Sequence, residues 1–283
     1  MKETRQRRLF RLIKLLLLSA ASLALGIYAG CFLYFPAAAV EKRLRYEIES
    51  RLPLSIEDGE ISLAFPASFT GRARVCTMSP GLCVDLDEYR AAPVWTRILS
   101  TAPQVSLTAK ALQGELSATY SSDGVLQANG RMMKVDLPFR NGSIRLHAQL
   151  SQASFSGAFP FYNKSASRFQ ILLDELNIAG DGFILPALNL KKVQIEATGS
   201  GNVFKLEKCS AEGGQLSLSC SGSVMLRADL PSSNLYLQAN IIPGPELPSQ
   251  VTDMLSMLAV GKVDGSYDLQ LKGVLGQPLV TLR

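Results

Sequence analysis

The chain has 283 residues, 47% of them hydrophobic and 7% aromatic, enough apolar material for a substantial core and too much for a disordered polymer. Its formal net charge is +5 and its pI near 9.0, but the excess is local: Lys2, Arg5, Arg7, Arg8, Arg11 and Lys14 face only Glu3, leaving 23 basic and 23 acidic residues in the remainder. A neutral body argues against polyanion binding, so no nucleic-acid partner is expected.

Residues 1–14 form that basic tail, and 15–35 form an apolar run of roughly 21 residues from Leu15 through Leu25 to Phe35. At about 1.5 Å per residue, such a helix reaches about 30 Å, the hydrocarbon thickness of a bilayer. A cleaved signal peptide has a shorter apolar region, about 7–15 residues, ending in small side chains. Here the run continues through Cys31, Phe32, Leu33, Tyr34 and Phe35 to Pro36, so an uncleaved signal anchor is expected. The positive-inside rule keeps the tail cytoplasmic and exports everything after Phe35, with Tyr28, Tyr34 and Phe35 as an interfacial belt. A competing reading takes Tyr28-Ala29-Gly30-Cys31 as a lipoprotein processing site, although Tyr stands where Leu is usual. Gly26 and Gly30 also fit a small-residue packing face on a membrane helix.

From 36 to 53, Val40, Leu44, Ile48 and Leu52 recur every four residues among charged ones, the pattern of an amphipathic helix ended by Pro53. Its expected place is against the start of the next domain or along the membrane surface.

Residues 54–283 read as an exported β-rich domain. The period changes to two: Val105, Leu107 and Ala109, then Leu116, Ala118 and Tyr120, then Ile144, Leu146, Ala148 and Leu150. It persists through Leu216, Leu218 and Cys220, through Val224, Leu226 and Ala228, through Leu235, Leu237, Ala239 and Ile241, and through Tyr267, Leu269 and Leu271. Asp123-Gly124, Asn141-Gly142, Asp181-Gly182 and Gly213-Gly214 supply turns, so a mainly β fold is expected, a curved antiparallel meander with a few short helices. Two of these are expected at Val94–Leu99 and after Ser249, the latter with Ser249 as N-cap, Val251, Leu255, Leu258 and Ala259 on one face, and Gly261 as the stop.

Four cysteines fall on the oxidising side. Cys76 and Cys83 flank a Pro80-Gly81 turn that brings two strands within disulfide reach. Cys209 and Cys220 bracket Gly213-Gly214 across a hairpin with a two-residue loop. That bridge requires a bulge if Leu206 and Leu218 share a face, because Leu206 and Cys209 differ in parity.

The chemistry of catalysis is missing. The sole histidine, His147, lies on the polar side of its strand, and no nucleophile elbow, zinc-protease helix or phosphate loop occurs. Asp85, Asp87 and Glu88 are too few for a calcium site and read as a solvated strand edge. Gly199, Gly201, Gly213, Gly214 and Gly222 belong to turns and bulges. Neither a metal nor a cofactor is expected, nor an enzyme.

The layout is similar to a known one. An anchor ending Leu33-Tyr34-Phe35-Pro36 leads through the amphipathic helix into Leu54-Ser55-Ile56-Glu57-Asp58-Gly59-Glu60-Ile61-Ser62-Leu63. Gly213-Gly214 precedes an alternating strand with a second glycine, Gly222, and the chain closes on Gly273, Gly276 and Pro278 in a Gly-x-x-Gly-x-Pro pattern. This resembles the type II secretion system protein N family and, more broadly, AsmA-like proteins of the bacterial envelope. The resemblance implies a single-pass inner-membrane protein with a curved periplasmic β-sheet and no catalytic set. Three functions are therefore expectations: an assembly or docking component among other type II secretion proteins, a lipid-binding or lipid-transfer groove, and a β-domain lipid-anchored through Cys31.

Overall fold

The computed structural model describes residues 2–34, 36–51, 54–64, 68–77, 83–98, 100–139, 144–158, 166–180, 187–227, 232–258, 260–275 and 277–282. Phe35, Pro53, Leu99, Ala228, Ala259, Gly276 and the expected turns at Pro80-Gly81, Asn141-Gly142 and Asp181-Gly182 lie outside the described residues.

Two helices precede the sheet: α1 (Lys2–Leu33) and α2 (Ala37–Arg51). The first covers the apolar run, and Leu15, Leu16, Leu17, Leu18, Leu23 and Leu25 along it are all exposed. Among the described residues no helix is long and apolar enough to cross a membrane. The amides of Ala39 and Val40 donate to the Pro36 carbonyl, so α2 starts anew at the proline.

The strands follow in order as β1 (Leu54–Ala64), β2 (Ser68–Thr77), β3 (Cys83–Pro93), β4 (Gln104–Ala111), β5 (Gly114–Ser121), β6 (Val125–Phe139) and β7 (Ile144–Ala158). Next come β8 (Ala166–Gly180), β9 (Leu188–Ser200), β10 (Val203–Ala211), β11 (Leu216–Met225) and β12 (Asn234–Pro243). Helix α3 (Ser249–Leu258) and the short β13 (Val260–Gly261) lead to β14 (Tyr267–Val274) and β15 (Gln277–Leu282). All fifteen strands form one open antiparallel sheet, each of β1 to β12 beside the next, with β14 following β12 and both β13 and β15 on the far side of β14. Strands β6, β7 and β8 have 15 residues each, about 50 Å when extended.

A globular chain of 30.6 kDa exposes about 12,000 Å². This one exposes 18831 Å². The freestanding α1 accounts for part of the excess and the single-layer sheet for the rest. Curvature does what a second layer does elsewhere: Leu190, Val193, Ala211 and Leu216 become buried against Leu173, Leu176, Ile195, Leu218 and Ile241, all from strands β8 to β12 of the same sheet, plus Leu247.

Among the described residues, a helix stands at each end of the sheet. At one end α2 runs antiparallel to β1. Arg45 Nη2 donates to the Glu57 carbonyl at 3.3 Å, the Ile56 amide donates to Glu49 Oε1 at 3.1 Å, and the Glu41 carboxylate lies over Gly59. At the other end α3 packs against β14 and β15, and its Val251 and Leu255 are exposed by only 2% and 6%.

Several local expectations change. Between Pro93 and Pro103 only Trp95–Arg97 forms a helical turn, of 3₁₀ type, because so short a segment cannot meet the cost of an α-helical nucleus. The first bond of α3 is accepted by the Pro248 carbonyl from Thr252, so Ser249 is its first helical residue rather than its cap. Gly261 does not stop that helix; it pairs with Tyr267. Val224 continues β11 instead of opening another strand, and Leu226 already lies beyond its end. The Gly213-Gly214 connection is four residues wide, 212–215, because its backbone pairs sideways with β9: Gly214 bridges Leu190, and Gln215 donates to the Asn189 carbonyl at 3.0 Å. A side chain at Gly214 would collide with that carbonyl.

Candidate functional site: an uncharged face on a curved sheet

On a strand, alternate residues share a face, and registers join those faces across neighbours. Leu107 on β4 stands opposite Ala118 on β5, which stands opposite Ala128 on β6, then Phe155 on β7 and Phe169 on β8. The row goes on through Ala197 on β9, Leu206 on β10, Gly222 on β11, Leu237 on β12 and Leu271 on β14. Followed through every register, the described strand residues on this face include no Asp, Glu, Lys, Arg or His.

Bulges are what keep it uniform. Leu206 pairs with Gly222 but Ser210 with Ser219, and Leu206 pairs with Ala197 but Lys208 with Glu196, so β10 holds one residue more than either neighbour, at Glu207. Before it, Phe204 and Leu206 face inward; after it, Cys209 and Ala211 do, while Glu207 and Lys208 both stay exposed. Met132 on β6 and Lys192 on β9 make the same change of parity with left-handed backbones, φ 50° and 49°. Asp87 does so on β3, where Leu86 pairs with Ala111 but Glu88 with Lys110.

The Glu207 bulge also sets the second disulfide. Cys209 and Cys220 are bonded on the apolar face, their Cα atoms 5.0 Å apart. Cys76 and Cys83 are bonded as register partners on the opposite face, with Cα atoms 4.0 Å apart. Glu57, Cys76 and Cys83 bring donor atoms within 4.8 Å of one another, but the bonded sulfurs offer no thiolate, so this group is not a metal site.

The other face is polar and laced across strands. Arg74 grips Asp85 with Nε at 2.6 Å and Nη2 at 3.1 Å, holding the Asp85 carboxyl below its ordinary value and raising the Arg74 guanidinium. Lys110 meets Glu88 at 3.0 Å, which raises the lysine. The acidic cluster expected at a strand edge therefore sits inside the sheet on β3, with two of its three carboxylates paired to cations on β2 and β4. His147, half exposed, stands opposite Asp136 with Nδ1 3.5 Å from the carboxylate. Further on, Lys262 meets Asp268 at 2.7 Å, and the Ser266 amide and hydroxyl pull the Asp264 carboxyl down. Arg74–Asp85, Lys110–Glu88 and Lys262–Asp268 are exposed ion pairs, every side chain in them more than a third accessible.

The motif glycines take up strained backbone. Gly222 has φ +147°, and a side chain there would strike the Tyr236 carbonyl. Gly273, at φ 108°, stands opposite Pro278 in the last hairpin, while Gly276 lies outside the described residues. Gly213 and Gly214 have φ of 82° and 86°. Leu15 and Leu25 are on α1, away from the sheet.

The chain matches no family model, no curated protein and no solved structure.

Proposed function

We propose that the protein is a non-enzymatic, single-pass inner-membrane protein whose periplasmic sheet binds the acyl chains of lipid on its apolar face. One observation carries the reading: an uncharged apolar face continues across the sheet, with α2 over one end, and along β4 to β7 no described helix lies on it. Monomeric proteins rarely expose apolar patches beyond a few hundred Å² without a binding role. An acyl chain suits a long, shallow, charge-free surface, since it brings methylene groups and no polar group to satisfy. The anchor is read from the run Leu15–Phe35 and its basic flank, and inner-membrane placement from those together with the envelope-protein resemblance.

Purifying the full chain from bacterial membranes, exchanging it into a lipid-free detergent and extracting it for mass spectrometry tests the reading. Stoichiometric phospholipid that persists through exchange supports it; its loss to background, with the sheet intact by circular dichroism, overturns it.

The second reading, a docking component of the type II secretion apparatus, draws on the sequence pattern around Gly213, Gly222, Gly273 and Pro278. The same apolar face would then receive a protein. Pull-down of the anchored chain with secretion components, and a secretion defect on deletion, would favour it over lipid.

A further inference from the structure

We infer that one rim of the sheet, where β3, β5, β9, β11 and β14 end and β4, β6, β10, β12 and β15 begin, rests on the surface of the membrane that holds the anchor, so that the apolar face opens onto that bilayer. The inference rests on the lipid-binding reading and the anchor of the preceding section, and adds the orientation.

Antiparallel order gives the sheet two rims of strand ends. Beyond α2, most of the large exposed hydrophobics among the described residues gather at the rim just named. Trp95 is 57% and Ile98 39% exposed, presented on a 3₁₀ turn with no buried residue. Val105 and Tyr120, 49% and 43% exposed, face each other at the ends of β4 and β5. Val203 and Met225 do the same at β10 and β11, at 42% and 41%. The opposite rim has scattered cases such as Val263. An aromatic and aliphatic fringe with an exposed Trp and Tyr is the composition of an interfacial belt. Among the described residues, Arg97, Arg168 and Arg227 lie at or near this rim against Asp123, a balance suited to anionic headgroups.

The direction of α2 points the same way. Glu49 lies by Ile56, Arg45 by Glu57 and Glu41 over Gly59, so toward its N-terminus α2 travels along β1 in the direction of Ala64, the β1–β2 end of the sheet. That end belongs to the fringed rim. Residue 37, where the chain leaves the anchor, is therefore carried toward it.

Trp95 is the only tryptophan, so intrinsic fluorescence reports this rim alone. The full chain is reconstituted in phosphatidylethanolamine–phosphatidylglycerol vesicles carrying lipids brominated near the headgroup end of the acyl chain. Two further proteins, Val263→Trp and Ile195→Trp, each in a Trp95→Phe background, place the reporter at the opposite rim and on the apolar face. The inference expects strong quenching of Trp95 and several-fold weaker quenching for Val263→Trp. No quenching of Trp95, or equal quenching at both rims, overturns it. The Ile195→Trp protein separates the two claims: quenching there without quenching of Trp95 leaves lipid binding standing and removes the orientation. Quenching of Trp95 without quenching at position 195 does the reverse.

Discussion

Deleting Glu207 tests whether β10 carries one extra residue at that point. In a regular strand a deletion turns every later side chain to the other face. Here it removes one of two consecutive outward residues, so Leu206 stays inward, Lys208 outward, and Cys209 and Ala211 inward, now in one-to-one register with both neighbours. Cys209 keeps its place opposite Cys220. Closing a loop between cysteines 11 residues apart removes about 3 kcal/mol of chain entropy from the unfolded state. The deletion should retain that amount. Two readouts apply to the full chain in detergent: alkylation mass spectrometry under non-reducing conditions, and urea unfolding followed by circular dichroism. No alkylation at Cys209 or Cys220 is expected, with a stability loss smaller than that of a Cys209→Ala/Cys220→Ala protein. Two alkylated thiols and a loss of about 3 kcal/mol or more would refute the parity argument.

Other perturbations follow from the same geometry. Gly222→Ala forces a side chain into the Tyr236 carbonyl at φ +147° and should destabilise by more than about 1 kcal/mol in urea titration, whereas Gly213→Ala meets open space and suffers only the backbone cost. Leu255→Ala, which removes a side chain 6% exposed beneath α3, should cost roughly 2–5 kcal/mol if the helix is a true cover, and little if it is a loose appendage. Asp85 and Asp264 titrate below the ordinary carboxylate value of about 3.9, so their contribution is in place above that pH and is lost as pH falls through their lower folded values. Acid titration should show that loss, and Arg74→Met should flatten the Asp85 part. Burial first, and Glu41 second, raise the Tyr89 phenol, so stability should fall as pH rises through about 10 and above, and Tyr89→Phe should remove that slope.

The mainly β meander was legible in the sequence because alternation survives wherever a strand is regular. Leu146, Ala148 and Leu150 against Arg145, His147 and Gln149 is such a case, and the structure keeps the first three in and the others out. The uncharged face was not legible as one surface. Its continuity depends on Asp87, Met132, Lys192 and Glu207, where the parity of the pattern changes. Left-handed Met and Lys carry no turn signature, since glycine and asparagine are the residues that announce that conformation. The bulge near Cys209 was the exception, because two cysteines that must meet reveal a parity conflict that apolar residues conceal. The reach of the Gly213-Gly214 turn onto β9 was hidden for another reason: it depends on a strand more than twenty positions earlier in the chain. The two helices were half visible, α2 from its four-residue period and α3 from its apolar stripe, but not that they stand at opposite ends of one sheet.

The claim that this face holds lipid is tested most directly along one strand. A photoreactive amino acid placed in turn at Ala153, Ser154, Phe155 and Ser156 of β7, in cells labelled with radioactive phosphate, samples the two faces alternately. The account predicts phospholipid adducts at 153 and 155 and background at 154 and 156; adducts without alternation, or only protein adducts at 153 and 155, would contradict it.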